Sequence, residues 1–235
     1  MKKTKLFCLP YAGGSATIYE KWKRYLHPSI ELIGVEYGGR GRRFSDPLCD
    51  DFQKIVDDIF FIVKDKITED SYSIFGHSMG ALVAYELAYK IQQEDLPPPL
   101  HMFFSGKGAP QFSHRDKMIH NLDNHKFKEE LLKLDGTPKE VLENDALMEI
   151  FLPILKSDFK AIEEYTYFEK DAPIDCNFTI LYGKDEKMPL NKIAEWQTHT
   201  KNRCNFFSFS GGHFFLHDHS EDIVSLINNT IAYHR

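Results

Sequence analysis

Residues 73–89, SIFGHSMGALVAYELAY, begin as a strand and end as a helix, with Ser78 at the join and Gly76 and Gly80 two places away on either side. A tight strand-to-helix turn holds its central residue on a strained backbone, and a side chain two positions before or after would collide with neighbouring chain. Glycine meets that constraint at both positions. The arrangement is the G-x-S-x-G elbow, which lifts a serine hydroxyl clear of a sheet as a nucleophile. Five residues match such a pattern by chance in many chains, so the surround decides. Upstream, YSIF is short, apolar and β-prone; downstream, Ala81, Leu82, Ala84, Tyr85, Leu87, Ala88 and Ile91 recur at helical spacing. Strand, turn and helix therefore come in the order the motif requires.

A serine hydroxyl is a weak nucleophile at neutral pH and needs a histidine to take its proton, with an acid to orient that histidine. Around an elbow of this kind the chain order is Ser, then Asp or Glu, then His. Asp185 follows the run NFTILYG, in ILYGKDEK, and His213 follows NFFSFS, in FFSFSGGHFF. Both fall where strand ends would deliver them to Ser78, and the triad read from the sequence is Ser78, Asp185 and His213. Glu186 is the nearest competitor for the acid, whereas Asp171 and Asp175 precede the strand and belong to its opposite end. His77 is expected to point away from the Ser78 proton. HFFLHDH, residues 213–219, offers His213, His217, Asp218 and His219 as metal ligands, but no H-E-x-x-H core accompanies the spaced histidines, and the plainer reading is the approach to the last helix. No metal is expected. A tetrahedral intermediate also needs donors for its oxyanion: the backbone N–H of Met79 is one, and the glycine-rich PYAGGSA, through Tyr11 or Ala12, supplies the other.

With 235 residues, 42% hydrophobic and a net charge of −6, the chain fits one globular α/β domain, residues 1–235, and not a nucleic-acid binder. No apolar run has the length of a membrane span, and the basic start MKKTKLFCLPYAGG breaks at proline and glycine before a signal-peptide core develops, so a cytoplasmic location is expected. Cys8, Cys49, Cys176 and Cys204 lack metal or redox spacing and read as buried free thiols. KLFCLP, ELIGVEY, YSIF, HMFFSG, NFTILYG and NFFSFS read as six strands with helical patterns between most of them, the clearest being Phe52, Ile55, Val56, Ile59, Phe60, Val63 and Ile67. Such alternation predicts a mainly parallel sheet flanked by helices, with functional loops at the carboxyl ends of the strands. From about 111 to 167 the pattern is helical without strands and too apolar for a plain loop, which predicts either a stabilising decoration or a lid over the site.

Taken in order, LFCLPYAGGSA, GRGRR, FGHSMGALVAYELA, GTPKEVL, LPILKSDFKAIEEY, LYGKDE and GGHFFL resemble type II thioesterases, the discrete editing hydrolases that accompany nonribosomal peptide and polyketide synthases. One departure is Gly38 in YGGRGRR, where that family often has proline. The resemblance implies an α/β-hydrolase fold with residues 111–167 as its lid and Ser78, Asp185 and His213 as its triad. It also implies hydrolysis of acyl or aminoacyl thioesters from the phosphopantetheine arm of carrier proteins, with no cofactor beyond the arm that the substrate carries. No nucleic acid or membrane partner is expected. Arg40, Arg42 and Arg43 follow the second strand at the same edge as Ser78; they either meet an acidic carrier or pin their own loop. The alternatives are a free-standing hydrolase of acyl-CoA, fatty acyl carrier or carboxylic esters, and a non-catalytic binding scaffold, which would usually have lost a triad member.

Overall fold

All six apolar runs become strands of one sheet. The computed structural model describes residues 3–113, 117–133 and 144–233. The strands are β1 (Thr4–Leu9), β2 (Ile30–Gly34), β3 (Tyr72–His77), β4 (His101–Ser105), β5 (Asn177–Gly183) and β6 (Cys204–Phe209). They lie in the order β2-β1-β3-β4-β5-β6, and each neighbouring pair is parallel. Most ends stay within a residue of expectation, and two shift by more. β3 continues through Gly76 to His77 and so runs up to Ser78, while β2 stops at Gly34 and leaves Val35–Tyr37 buried beyond the sheet edge.

Side chains alternate along a strand, so a sheet covered on both faces needs apolar residues at successive positions. β1 meets that need: Phe7 and Leu9 enter one large core, Leu6 and Cys8 the other. On the first face lie α1 (Phe52–Glu69) and α2 (Met79–Gln93), α1 contributing Phe52, Ile55, Val56, Ile59, Val63 and Ile67 as the period foretold. On the second lie the 3-10 segment Ala16–Arg24, through Tyr19 and Trp22, and the C-terminal helix. All four thiols are free, but only Cys8 and Cys176 are buried, Cys49 and Cys204 being half-buried.

The insertion between β4 and β5 carries α3 (Asn124–Lys133) and α4 (Asp145–Glu163), while the phrase GTPKEVL lies outside the described residues. Asn144 caps α4 by accepting from the Leu147 N–H at 3.1 Å. Met148, Leu155 and Phe159 of α4 join Ile119, Phe127 and Leu131 in a separate small cluster, while Ala161 and Ile162 enter the main core. After β5 come α5 (Leu190–Ala194) and, past β6, α6 (Ser220–Tyr233). No described helix is long and apolar enough to cross a membrane.

Strand order reverses at β1, which has β2 on one side and β3 on the other. The loops leaving β1 and β3 diverge there and open a crevice at the carboxyl edge, where ligands bind in sheets of this type.

Candidate active site

Ser78 stands on that crevice. Its φ of 56° and ψ of −111° are a conformation that L-residues rarely adopt, costing on the order of 1–3 kcal/mol and persisting only where the surroundings enforce it. They do so through the backbone. The Ser78 N–H donates to the Ser105 carbonyl at 2.8 Å, and the Ala81 N–H returns to the Ser78 carbonyl at 3.1 Å. A Cβ on Gly80 would lie 2.2 Å from the Leu9 carbonyl oxygen of β1, and one on Gly76 would lie 2.1 Å from that of Gly80. The two glycines therefore serve different approaches: one between the elbow and β1, the other within the elbow itself.

His213, in the loop after β6, brings Nε2 to 2.9 Å from the Ser78 Oγ. The expected partner for its other nitrogen was Asp185, and here the structure corrects the reading: Nδ1 lies 2.6 Å from Glu186 Oε1. Gly183–Glu186 is a tight turn, closed by the Glu186 N–H on the Gly183 carbonyl at 3.3 Å. Asp185, inside the turn, is tied twice to Gly211: its Oδ2 accepts from the Gly211 N–H at 3.0 Å, and its own N–H donates to the Gly211 carbonyl at 3.1 Å. It fastens the β5 loop to the β6 loop. Glu186, leaving the turn, is free to reach His213, and its side chain is only 10% exposed.

His77 turns away from Ser78, as expected. It is buried, with Nδ1 2.8 Å from Ser105 Oγ, and burial pushes it well below the ordinary histidine range, so it stays neutral beside His213 at a ring separation of 5.1 Å. The remaining histidines of HFFLHDH diverge: His217 Nε2 pairs with the Tyr11 hydroxyl at 3.0 Å, and His219 with Ser210 Oγ at 2.9 Å. Burial holds Tyr11 up at about 12 and draws His217 down, so Tyr11 is the donor to a neutral ring. Among the described residues no group of three or more His, Cys, Asp or Glu side chains is arranged to hold a metal.

In PYAGGSA, the Gly14 N–H is spent on the Tyr11 carbonyl at 2.9 Å and the Gly13 N–H on Asp158 Oδ2 at 2.7 Å. Ala12, between Tyr11 and Gly13, lines the cavity with Ser78. Met79, the other expected donor, opens α2, where the first backbone N–H groups have no partner within the helix.

The arginines divide between the two readings open to them. Arg40 is 4% exposed and forks onto Asp158, Nη1 at 2.5 Å and Nη2 at 2.6 Å; Arg43 forks onto Asp58 at 2.6 and 3.0 Å and also binds Asp46 at 2.7 Å. Both pin their loop internally. Arg42 alone is left on the surface. The basic side chains that share a cavity with Ser78 are instead Lys107, Lys133, Lys187 and Lys192, on a net acidic chain. No sequence signal marked them, since they come from three separate stretches of chain. Asp158 did leave one: it sits three residues after Leu155 and four before Ile162, on the buried face of an apolar helix, where an unpaired carboxylate is costly.

The cavity has a volume of about 440 Å3. Leu131 of α3 and Leu155, Phe159 and Ile162 of α4 give it an apolar wall, so the insertion builds part of the site. The Ser78–His213 pair lines the same space. Such a space suits an acyl chain with its carbonyl at Ser78.

Comparison with known proteins agrees with this geometry. The pattern that defines the thioesterase domain family matches residues 4–231. The thioesterase PikA5 of Streptomyces venezuelae is 36% identical over 226 residues, covering 96% of this chain and 80% of its own length. The crystal structure of ClbQ, from the colibactin NRPS/PKS pathway, superposes with a TM-score of 0.95 at 34% identity, covering 99% of this chain and 98% of that one. The type II thioesterase BorB, from the borrelidin biosynthetic cluster, gives 0.87 at 30% identity, covering 97% and 92%. The likeness spans every strand and loop that builds the cavity, and the protein belongs to the thioesterase family, on the side of its type II members.

Proposed function

We propose that the protein clears acyl groups from the pantetheine arm of carrier domains in a modular synthase, through an acyl-enzyme on Ser78 with Glu186 as the acid of the triad. The observation that carries this is the unbroken chain from Ser78 Oγ through His213 to Glu186, all three lining a cavity with an apolar wall. In this scheme Ser78 attacks the thioester carbonyl as His213 Nε2 takes its proton, and Glu186 stabilises the imidazolium through Nδ1–H. The N–H groups of Met79 and Ala12 receive the oxyanion. Collapse expels the pantetheine sulfur, which leaves as a thiol with the proton from His213. Water, deprotonated by the same nitrogen, then attacks the acyl-serine; collapse breaks the acyl–Oγ bond, Ser78 Oγ takes the proton back from His213, and the carboxylic acid leaves. Serine and histidine supply the electron pair and the proton transfer, so the chemistry asks for no cofactor.

The synthase role follows the contexts that ClbQ and BorB carry in their descriptions. The lysines that line the cavity suit the phosphate of the arm and an acidic carrier surface, and the reading carries with it a cytoplasmic location. The test compares one acyl group presented on a carrier protein, on coenzyme A and on N-acetylcysteamine. A kcat/KM highest on the carrier, with an acyl adduct on Ser78 by intact mass, is expected. Preference for coenzyme A over the carrier would move the protein to the free-standing class.

A further inference from the structure

Asp158 is a buried carboxylate that the reaction scheme leaves unused. It has no exposure, and a lone charge in such a place would cost several kcal/mol. Two partners meet it: the Arg40 fork described above and the Gly13 N–H. Arg40 in turn lies 5.3 Å over the ring of Tyr37, whose hydroxyl donates to the Pro10 carbonyl at 3.1 Å. The loop after β1 is thus held on both sides of Ala12, at Pro10 and at Gly13, and it closes on itself through Gly14. Gly13 has φ of +76°, and a Cβ there would lie 2.4 Å from Leu155 Cδ2, so this loop and α4 are in direct contact.

We propose that Asp158 is a positioning residue for the reaction, which from the lid helix holds the Tyr11–Gly14 turn so that the Ala12 N–H faces the carbonyl at Ser78. The physical reason is local. The Gly13 N–H belongs to the peptide that follows Ala12, so fixing its direction removes one of the torsions by which the Ala12 N–H can swing. Glycine at position 13 makes that restraint necessary, because its backbone is otherwise free over much of φ/ψ space. The buried fork to Arg40 aims the carboxylate, and a bidentate pair fixes direction as well as distance. α4 and the oxyanion loop consequently move as one body, and lifting α4 would disorganise the donor it covers.

The inference rests on Ala12 as an oxyanion donor, and the experiment separates the two claims. Wild type, Asp158→Asn and the neutral pair Arg40→Met with Asp158→Leu are compared for turnover of an acyl-N-acetylcysteamine thioester. They are also compared for inhibition by an acyl trifluoromethyl ketone, whose adduct on Ser78 carries the oxyanion. Asp158→Asn leaves Arg40 buried without its counter-charge and is at risk of not folding; the neutral pair removes both charges and is expected to fold. In the folded variants kcat should fall by about tenfold or more with KM within about threefold, and affinity for the ketone should fall in parallel. A folded variant that keeps wild-type kcat and wild-type ketone affinity overturns the proposal. Wild type binding the ketone no better than the product acid would overturn the oxyanion assignment instead.

Discussion

At the turn after β3, backbone positions the reactive side chain; at the turn after β5, side chains do much of the work. Ser78 is placed by carbonyls and glycines: its N–H on Ser105, Gly80 against Leu9, Gly76 against Gly80. The β5 turn is closed by one long bond at 3.3 Å, and what settles it is the Asp185 carboxylate on the Gly211 N–H. Neighbouring acids thereby divide two tasks, one holding loops together and the other orienting His213. The difference teaches that a steric site leaves a residue pattern, whereas a site settled by which of two carboxylates reaches a nitrogen does not.

The largest expected effect is at the elbow. Ser78→Ala should lower kcat by about 10^6-fold, to background, with the melting temperature nearly unchanged, since alanine fits the same backbone and only the nucleophile is lost. Residual turnover anywhere near wild type would break the mechanism.

Next comes the contrast within the β5 turn. Glu186→Gln should cost roughly 10^3- to 10^4-fold in kcat, because it favours the wrong tautomer of His213 and withdraws the charge that stabilises the imidazolium. Asp185→Asn should cost less than about tenfold, since an amide oxygen can still accept from the Gly211 N–H. Steady-state kinetics on the two variants decide the matter, and a reversed order would restore Asp185 as the acid.

Gly80→Ala sharpens the comparison from the steric side. Its Cβ would meet backbone of β1 rather than a movable side chain, and a loss of about 3 kcal/mol is expected, read as a fall of about 6–12 °C in Tm. If the variant melts like wild type, the close approach to β1 does not constrain that position.

The smallest effect belongs to the cavity lysines. Lys187→Glu with Lys192→Glu should raise KM for an acyl carrier protein by about three- to tenfold at low salt and by less at high salt, leaving a small N-acetylcysteamine thioester nearly unaffected. Equal losses on both substrates would mean that these lysines shape the cavity and not the encounter.

Much of this was legible in the chain. Periodicity placed all six strands and the stripe of α1, because burial on both faces of a sheet and on one side of a helix imposes different spacings. Ser78 and His213 were legible because an elbow and a strand end constrain what can follow them. Glu186 appeared only as the runner-up to Asp185, since sequence counts residues past the strand but does not give the rotation of the turn. For Arg40 and Arg43 a carrier-facing patch and an internal pin stood equally open, because their carboxylate partners, Asp158 and Asp58, stand 118 and 15 residues away.

What the sequence determined by itself, then, is the set of local necessities: strands where apolar residues run unbroken, a helix where they recur with its period, and glycine where two backbones touch. Each is a constraint between residues close in the chain. The tertiary structure alone decided which charges meet. Asp158 reached Arg40 and Gly13, Asp185 reached Gly211, and Glu186 reached His213, because charge pairing depends on distances set only once the loops after β1, β2, β5 and β6 and the helix α4 have closed around one cavity.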